Sequence, residues 1–182
     1  MNLEEKQLKA EYVYEGRIIK VRRDEALLPN GANALREVIE HPGGVCVAAL
    51  TEDNEVLMVR QFRYPYSEVV LEIPAGKRDS VDEDPFECGK RELKEETGAD
   101  ASNFIPLGEL YPSPGYCGEI IWLYAASGLT FGEQHTDEDE FLEVEKIPLE
   151  KAVEMIMNGE IKDAKTQAAV LKLKLLKDMG KI

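Results

Sequence analysis

A cluster of acidic side chains suggests chemistry in the segment RELKEETGA, residues 91–99, where Glu92, Glu95 and Glu96 lie close together. On an α-helix, which turns about 100° per residue, they fall within an arc of roughly 100°. Like charges at this spacing repel by about 0.2–0.5 kcal/mol per pair, and the last helical turn favours cations. One interpretation is a solvated acidic face. The other is a site for Mg²⁺ or Mn²⁺, which bind carboxylates and phosphates together.

The helix that must position these glutamates has start and stop signals. Asp84 is a candidate N-cap, Pro85 stands at the first helical position, and Gly98 marks the end. Cys88 and Gly89 fall on the carboxylate arc one turn earlier. Because both residues are small, they leave room for a ligand or another chain segment to approach.

The composition narrows the classes of protein. The chain has 182 residues, of which 43% are hydrophobic and 32% are charged, enough for a folded core. A net charge of −14 argues against a nucleic-acid backbone or an anionic membrane as partner. Three separated cysteines without a CxxC fit a reducing cytoplasm better than a disulfide framework. The N-terminus lacks an apolar signal core, and no apolar run is long enough to span a bilayer.

The order of predicted elements indicates an α+β fold. Strands come first, one helix lies in the middle, and two helices close the chain. Strands are predicted at about 17–28, 34–41, 45–50, 56–62, 68–74, 105–110, 120–126 and 143–146. The closing helices are predicted from Pro148 to about residue 158 and from the candidate N-cap Asp163 to about residue 179.

A longer segment, GKRDSVDEDPFECGKRELKEETGA, resembles the signature of the Nudix hydrolases: a glycine, a glutamate, then REUxEExGU, where U is aliphatic. Glu83 stands at the expected distance before Arg91. The family has five residues between the glycine and the first glutamate, whereas six separate Gly76 from Glu83. We interpret this as a one-residue insertion before the helix, whose role the sequence leaves open. The segments VLMVRQFRYP, LEIPAGK, YPSPGYCGE and KDAKTQAAV resemble the ADP-ribose pyrophosphatase branch.

The resemblance implies a Nudix fold, in which a mixed β-sheet is sandwiched between helices (α/β/α), with an N-terminal strand region. Residues 1–42 are expected to be this strand region and to form a homodimer, and residues 43–182 to be the Nudix hydrolase domain. Glu83 and Arg91 are the expected structural pair that fixes the loop on the helix. For Arg91 alone, a simple salt bridge on the helix surface is the alternative.

The resemblance also implies the metal ligands and the catalytic carboxylates. The expected ligands of Mg²⁺, with Mn²⁺ as an alternative, are Glu92, Glu95, Glu96, Glu140 and the backbone carbonyl of Ala75. The general base is expected from the acidic segment 137–140, with Glu138 as the choice, and Glu92 and Glu95 are the other catalytic candidates. An exposed acidic loop is the alternative for that segment.

The expected substrate contacts are Arg60, Arg63, Glu119 and Gly76. Arginine pairs well with phosphate oxygens, although both arginines could equally be surface charges of a strand. The implied reaction is Mg²⁺-dependent hydrolysis of ADP-ribose to AMP and ribose 5-phosphate. Another nucleoside diphosphate sugar, such as GDP-mannose, is the alternative substrate. A non-catalytic domain that binds nucleotide sugars is less favoured, because all the signature carboxylates are present.

Overall fold

The computed structural model of the protein describes residues 2–136 and 140–182. A short 3-10 turn, Tyr64–Tyr66, separates two of its strands. The strands and helices in chain order are β1 (Lys6–Glu15), β2 (Lys20–Leu27), β3 (Asn33–Glu40), β4 (Gly44–Ala49), β5 (Glu55–Arg63), β6 (Glu68–Glu72), β7 (Ala75–Lys77), α1 (Pro85–Thr97), β8 (Ala99–Leu110), β9 (Ile121–Phe131), β10 (Leu142–Pro148), α2 (Leu149–Met157) and α3 (Ala164–Asp178).

Within the described residues, the strands pair in the orders β1-β2-β3, β10-β5-β6 and β7-β4-β9-β8. Strands β4 and β9 run parallel, with Gly44 opposite Ile121 and Ala49 opposite Ala126. Their neighbours β7 and β8 pair with them antiparallel. The sheet around β4 is therefore mixed, as expected for the predicted α+β class.

Strand β4 packs helices on both of its faces because its side chains alternate. Cys46 and Ala48 belong to a core that includes residues of α2 and α3. Val47 and Ala49 belong to a second core, with Leu93 of α1. An apolar run such as VCVAA is typical of a strand that is buried on both sides. The predicted sandwich of a sheet between helices is confirmed.

The predicted elements are largely present, with differences where local signals are weak. The two closing helices lie where they were predicted, and the Asp163 carboxylate caps α3 by accepting a hydrogen bond from the Thr166 backbone N at 2.9 Å. Strand β8 begins at Ala99, several residues before its predicted start, because it pairs with β9 along its whole length. In the part of the chain that the structure describes, no helix is both long enough and apolar enough to cross a membrane.

Candidate active site

Helix α1 carries the glutamates, and local contacts fix both of its ends. Pro85 occupies the first helical position, and the Asp84 carboxylate accepts a hydrogen bond from the Phe86 backbone N at 2.9 Å. Gly98 follows the helix with a φ of 69°, a left-handed conformation that glycine adopts without strain, and its N–H donates to the Lys94 carbonyl. The predicted start and end of this helix are confirmed.

The three glutamates of the predicted arc differ in exposure. Glu92 is 7% exposed and Glu96 is 2% exposed, whereas the Glu95 side chain is 39% exposed. Burial is the main cause that raises the pKa of Glu92 to about 7 and that of Glu96 to about 8, and nearby carboxylates add to the effect. A solvated acidic face is therefore excluded for Glu92 and Glu96, which a bound cation would stabilise in their charged form.

Strand β7 lies directly against this buried pair. The Ala75 backbone N donates a hydrogen bond to Glu96 Oε2 at 3.0 Å. A Cβ atom placed on Gly76 would lie 2.0 Å from Glu92 Cδ, so any side chain at this position would displace the carboxylate. The structure thus brings Ala75 and Gly76 beside the two glutamates.

Arg91 connects the helix to the loop that precedes it. Its Nε and Nη2 atoms each donate to Glu83 Oε1 at 3.2 Å. Its Nη1 atom lies 2.8 Å from Glu92 Oε1 and 2.9 Å from Glu95 Oε2. Although burial opposes the shift, the Asp79 backbone N and Arg91 lower the pKa of Glu83. Glu83 and Arg91 are therefore in contact, and Arg91 also reaches two of the clustered carboxylates.

A cavity of about 510 Å³ gathers several of the predicted residues from distant parts of the chain. Its size is within the range of small-molecule sites. The predicted residues that line it are Arg63, Ala75, Gly76, Glu119 and Glu140. They come from β5, from β7, from the end of the YPSPGYCGE segment and from the segment before β10, so the fold brings together what the sequence separates.

The expected general base, Glu138, lies outside the described residues, together with Asp137 and Asp139. Glu140, the first described residue after them, lines the cavity. Its charge adds to the effect of burial in raising the pKa of the helix glutamates. Of the acidic segment 137–140, Glu140 is therefore the described residue, and it lies at the cavity.

Arg60 is not brought to this cavity. Arg60 and Arg63 are an odd number of residues apart on β5, so their side chains point to opposite faces of the strand. Arg60 pairs with Glu145 of β10 and lines a different cavity of about 390 Å³. Arg60 and Arg63 therefore line different cavities of this chain, and a contact of Arg60 with substrate stays a prediction.

Lys165 is a residue of the cavity that the sequence analysis missed. Arg63 donates to both carboxylate oxygens of buried Glu72, at 2.6 and 2.8 Å, and Lys165 contacts Glu72 and Asp163. Burial lowers the pKa of Lys165, but the carboxylates of Asp163 and Glu72 outweigh burial, so the pKa is raised. The segment KDAKTQAAV held the signal, since a lysine in the first turn of a helix is unfavourable for the helix dipole.

His41 is a second residue that the sequence analysis left without a role. It lines the cavity, where its Nδ1 atom accepts a hydrogen bond from the Gly43 backbone N at 3.1 Å and lies 3.4 Å from Glu119 Oε1. Both contacts are made by the same ring nitrogen, so Nδ1 joins the entry to β4 with Glu119. An isolated histidine carries no sequence signal for such a position.

The donors around the buried glutamates fit a hard divalent cation. Glu92 and Glu96 offer carboxylate oxygens, and the Glu92 carboxylate lies directly against Gly76, where any side chain would displace it. Within residues 2–136 and 140–182, no group of three or more His, Cys, Asp or Glu side chains is close enough to hold a metal ion. A cation bound to the glutamate pair would take its remaining ligands from groups that move toward it or from backbone carbonyl, water or phosphate oxygens, as Mg²⁺ commonly does.

Comparison with known families agrees with this fold. The model of the NUDIX domain family matches residues 40–170. The model described as the nucleoside diphosphate sugar hydrolase N-terminal domain matches residues 5–39. The chain therefore belongs to the Nudix family, as its sequence signature predicted.

Individual relatives resemble the protein over almost its whole length. It is 42% identical over 174 residues to the methanol dehydrogenase activator of Bacillus methanolicus, covering 94% of each chain. It is 39% identical over 176 residues to the ADP-ribose pyrophosphatase of Bacillus subtilis (strain 168), covering 96% of this chain and 95% of that one. A crystal structure described as an ADP compounds hydrolase matches with a TM-score of 0.84 and 23% identity over 100% of both chains, which supports the fold.

Proposed function

We propose that the protein hydrolyses the diphosphate bond of ADP-ribose, giving AMP and ribose 5-phosphate, and that it requires Mg²⁺. The observation that carries this proposal is the burial of Glu92 and Glu96 against β7, beside a cavity that also holds Arg63. Buried carboxylates are costly unless a cation pairs with them, and a diphosphate is a natural further ligand of that cation. Membership of the Nudix family and the relative in Bacillus subtilis support the substrate class.

The proposed metal site is built on α1 and β7. Its ligands in this proposal are Glu92, Glu95, Glu96, Glu140 and the backbone carbonyl of Ala75. Because the described carboxylates are not gathered closely enough to hold a metal ion as they stand, the proposal requires Glu95 and Glu140 to move toward Glu92 and Glu96 when the cation binds. When bound, the cation neutralises the diphosphate and lowers the pKa of a water attached to it. The chain itself orients the carboxylates, because Arg91 contacts Glu92 and the Ala75 N–H contacts Glu96. Mn²⁺ offers the same preference for oxygen ligands and is the alternative metal.

Glu138 is the proposed general base, and Glu92 and Glu95 are the other proposed catalytic carboxylates. In the reaction, the water oxygen bonds to one phosphorus, the bond from that phosphorus to the bridging oxygen breaks, and the water proton passes to the base. The position of Glu140 on the cavity wall supports this assignment, because Glu138 lies two residues before it in the chain.

Arg63, Gly76 and Glu119 are the proposed substrate contacts. Arg63 donates from Nε and Nη2 to Glu72, so a contact with phosphate falls to Nη1. Gly76 lines the cavity and lies directly against the Glu92 carboxylate, so a diphosphate bound at this glycine would lie close to that carboxylate. Glu119 lies at the His41 end of the cavity lining, where a carboxylate can accept hydrogen bonds from the hydroxyl groups of a ribose.

The N-terminal strand region, residues 1–42, is proposed to form a homodimer. Strands β1, β2 and β3 form a sheet of their own, and every residue of β1 is exposed. A small sheet of this kind is stable only when an apolar face packs against another element. The large apolar side chains exposed on this region are Leu3, Leu8, Tyr12, Val13, Tyr14, Ile18 and Leu35. A second subunit would cover them, which sedimentation or gel filtration can check.

The cytoplasm is the proposed compartment. Cys46, Cys88 and Cys117 are free thiols. Burial raises the pKa of Cys46 and raises that of Cys88 to about 12, so neither thiol is reactive. Free, inert thiols fit a reducing environment.

A substrate panel tests the proposed reaction. Purified protein with Mg²⁺ is given ADP-ribose, GDP-mannose or NADH in separate reactions, and the products are separated by liquid chromatography. We expect AMP and ribose 5-phosphate, with a kcat/KM for ADP-ribose about tenfold or more above the others. Equal or faster hydrolysis of GDP-mannose would assign the site to a different nucleoside diphosphate sugar.

A matched pair of variants tests the site itself. Glu96→Gln removes a buried charge next to Ala75 and should lower kcat/KM by about 100-fold or more. Glu87→Gln makes the same chemical change on the same helix, where the side chain is exposed and contacts Lys90. It should keep the activity of the unmodified protein. Full activity in Glu96→Gln would show that the glutamate pair does not hold the cation.

Regulation of a dehydrogenase is a second candidate function, favoured by the 42% identity to the methanol dehydrogenase activator. The test is the rate of a methanol dehydrogenase with and without the protein. If the protein raises the rate and Glu96→Gln abolishes that rise, activation of the dehydrogenase depends on hydrolysis of a nucleotide at this site. No change in rate would exclude regulation of the dehydrogenase and would not affect the proposed hydrolysis of ADP-ribose.

A further inference from the structure

Arg78 lies in the loop between β7 and α1, just after the cavity residues, and it is 8% exposed. Its Nε atom donates to the Glu83 carbonyl at 2.8 Å, and Nη2 donates to the same carbonyl at 2.5 Å. Nη2 also contacts the Val81 carbonyl, and Nη1 donates to the Pro42 carbonyl at 3.1 Å. The guanidinium therefore gathers backbone carbonyls from two parts of one loop and from the segment that leads into β4.

The position of Arg78 is fixed on its other sides as well. Its guanidinium stacks over the Trp122 ring, 4.8 Å from the ring centroid. Its backbone N–H donates to the Gly43 carbonyl at 3.1 Å. Planar stacking and several donors in a rigid fork are the properties that distinguish arginine from lysine. Arg78 is thus held by β9 and by the entry to β4 while it holds the loop.

A short chain of contacts joins this loop to the metal-binding glutamates. Arg78 holds the backbone of Glu83, and the Glu83 carboxylate accepts hydrogen bonds from Arg91. Arg91 in turn contacts Glu92 and Glu95. A shift of the Glu83 backbone would therefore withdraw the carboxylate that orients Arg91.

The loop between Gly76 and Glu83 is longer than the family signature, which makes a contact that fixes Glu83 important. Six residues separate Gly76 from Glu83, one more than the signature that the segment resembles. The structure folds the extra length into a turn, in which the Glu83 N–H donates to the Ser80 carbonyl at 3.3 Å and the Asp82 N–H donates to Ser80 Oγ at 3.2 Å. These bonds are long, whereas the contacts from Arg78 are short. The Asp79 N–H also donates to Glu83 Oε2 at 2.7 Å, so the loop holds the carboxylate of Glu83 while Arg78 holds its backbone carbonyl.

We propose that Arg78 is a positioning residue that fixes Glu83, and through Arg91 the helix glutamates, in a loop lengthened by one residue. This inference rests on the proposed metal site, and it assigns Arg78 no contact with substrate. The proposal explains why the buried Arg78 guanidinium donates to backbone carbonyls. These hydrogen bonds hold Glu83 in place, and the orientation of Arg91 depends on Glu83.

The test measures Mn²⁺ binding by electron paramagnetic resonance, without substrate, in Arg78→Met, Glu83→Gln and the double variant. Loss of a group that orients metal ligands typically weakens metal binding by about 10- to 100-fold, and we expect this of each single variant. If Arg78 acts through Glu83, the double variant binds about as weakly as Glu83→Gln. Additive losses, or wild-type affinity in Arg78→Met, would overturn the proposal.

Two controls separate a specific loss of Mn²⁺ binding from a general effect of lost charge or of misfolding. Lys94→Met removes an exposed cation of α1 that pairs with Asp100, and it should leave Mn²⁺ binding unchanged. If Arg78→Met does not fold, as judged by circular dichroism, the cycle is repeated with Arg78→Lys, which keeps the charge but lacks the fork. Because binding is measured without substrate, a protein that binds Mn²⁺ but leaves ADP-ribose intact would refute the proposed substrate and still allow the cycle to be judged.

Discussion

The close approach of β7 to the helix leads to a quantitative prediction for Gly76→Ala. The new Cβ atom would lie 2.0 Å from Glu92 Cδ, whereas ordinary contact begins at 3.4 Å, so the carboxylate must move by about 1.4 Å. That displacement would break the 2.8 Å contact between Glu92 and Arg91. Misplacement of a catalytic group by about 1 Å can lower a rate about 100-fold, and we expect a loss of that size in kcat for ADP-ribose.

The fold should survive this substitution, because the obstacle is the end of a side chain rather than backbone. Overpacking a core typically costs about 1–3 kcal/mol, and each kcal/mol lowers the Tm of a chain of this size by about 2–4 °C. Steady-state kinetics at saturating Mg²⁺, with thermal unfolding of the same samples, would separate lost activity from lost structure.

Gly115→Ala is the matched control, because no atom lies within 4 Å of a Cβ built at that glycine. It should keep both kcat and Tm. The reasoning is refuted if Gly76→Ala retains more than about half of the wild-type kcat, since a displaced Glu92 would then not matter for the reaction. It is also refuted if the variant unfolds, because the clash would then have disrupted the fold instead of displacing the Glu92 carboxylate.

Three further predictions follow from individual side chains. In the metal-free protein, burial raises the pKa of Glu92 to about 7 and of Glu96 to about 8, against 4.5 for a solvated glutamate. The folded chain then binds more protons than the unfolded chain from about pH 5 to 8, so the free energy of unfolding should fall as pH rises across that window. Urea unfolding should show a shallower fall in Glu96→Gln, and an unchanged slope would contradict the burial argument. Arg60→Ala should keep kcat/KM within about twofold, whereas Arg63→Ala should raise KM about tenfold; equal effects in steady-state kinetics would mean that both arginines meet the substrate. Asp84→Ala should lower the free energy of unfolding by about 1 kcal/mol, while Asp84→Asn keeps the cap and should lose little in the same urea assay.

The parts of the fold that the sequence predicts well are those with local signals. Helix α1 begins at Pro85 after a capping aspartate and ends before a left-handed glycine, and each of these signals acts within one turn. Strand β1 was missed because its charged sequence, KQLKAEYVYE, has no buried face in this chain. The first half of β8, residues 99–104, was missed because its sequence, ADASNF, is rich in residues typical of turns, and its regularity comes from pairing with β9.

The candidate site shows the same division. The arc of Glu92 and Glu96 follows from helical periodicity, but their burial depends on Ala75 and Gly76 approaching from another strand. The position of Lys165 in the first turn of α3 marks it as unusual, but its partner Glu72 lies far away in the sequence, so no local pattern could identify the contact. The Arg60 and Arg63 side chains point to opposite faces of β5, as the alternation of side chains along any strand predicts.

The parallel pairing of β4 with β9 has a consequence for how the protein is made. A chain leaves the ribosome from its N-terminus, and the signals of α1 are complete soon after Gly98 has emerged. Strand β4 must still wait for β9, and Glu72 must wait for Lys165 near the start of the last helix. A nascent chain that stops before α3 therefore carries the signature helix without a finished cavity, and catalytic competence arrives only with the last part of translation.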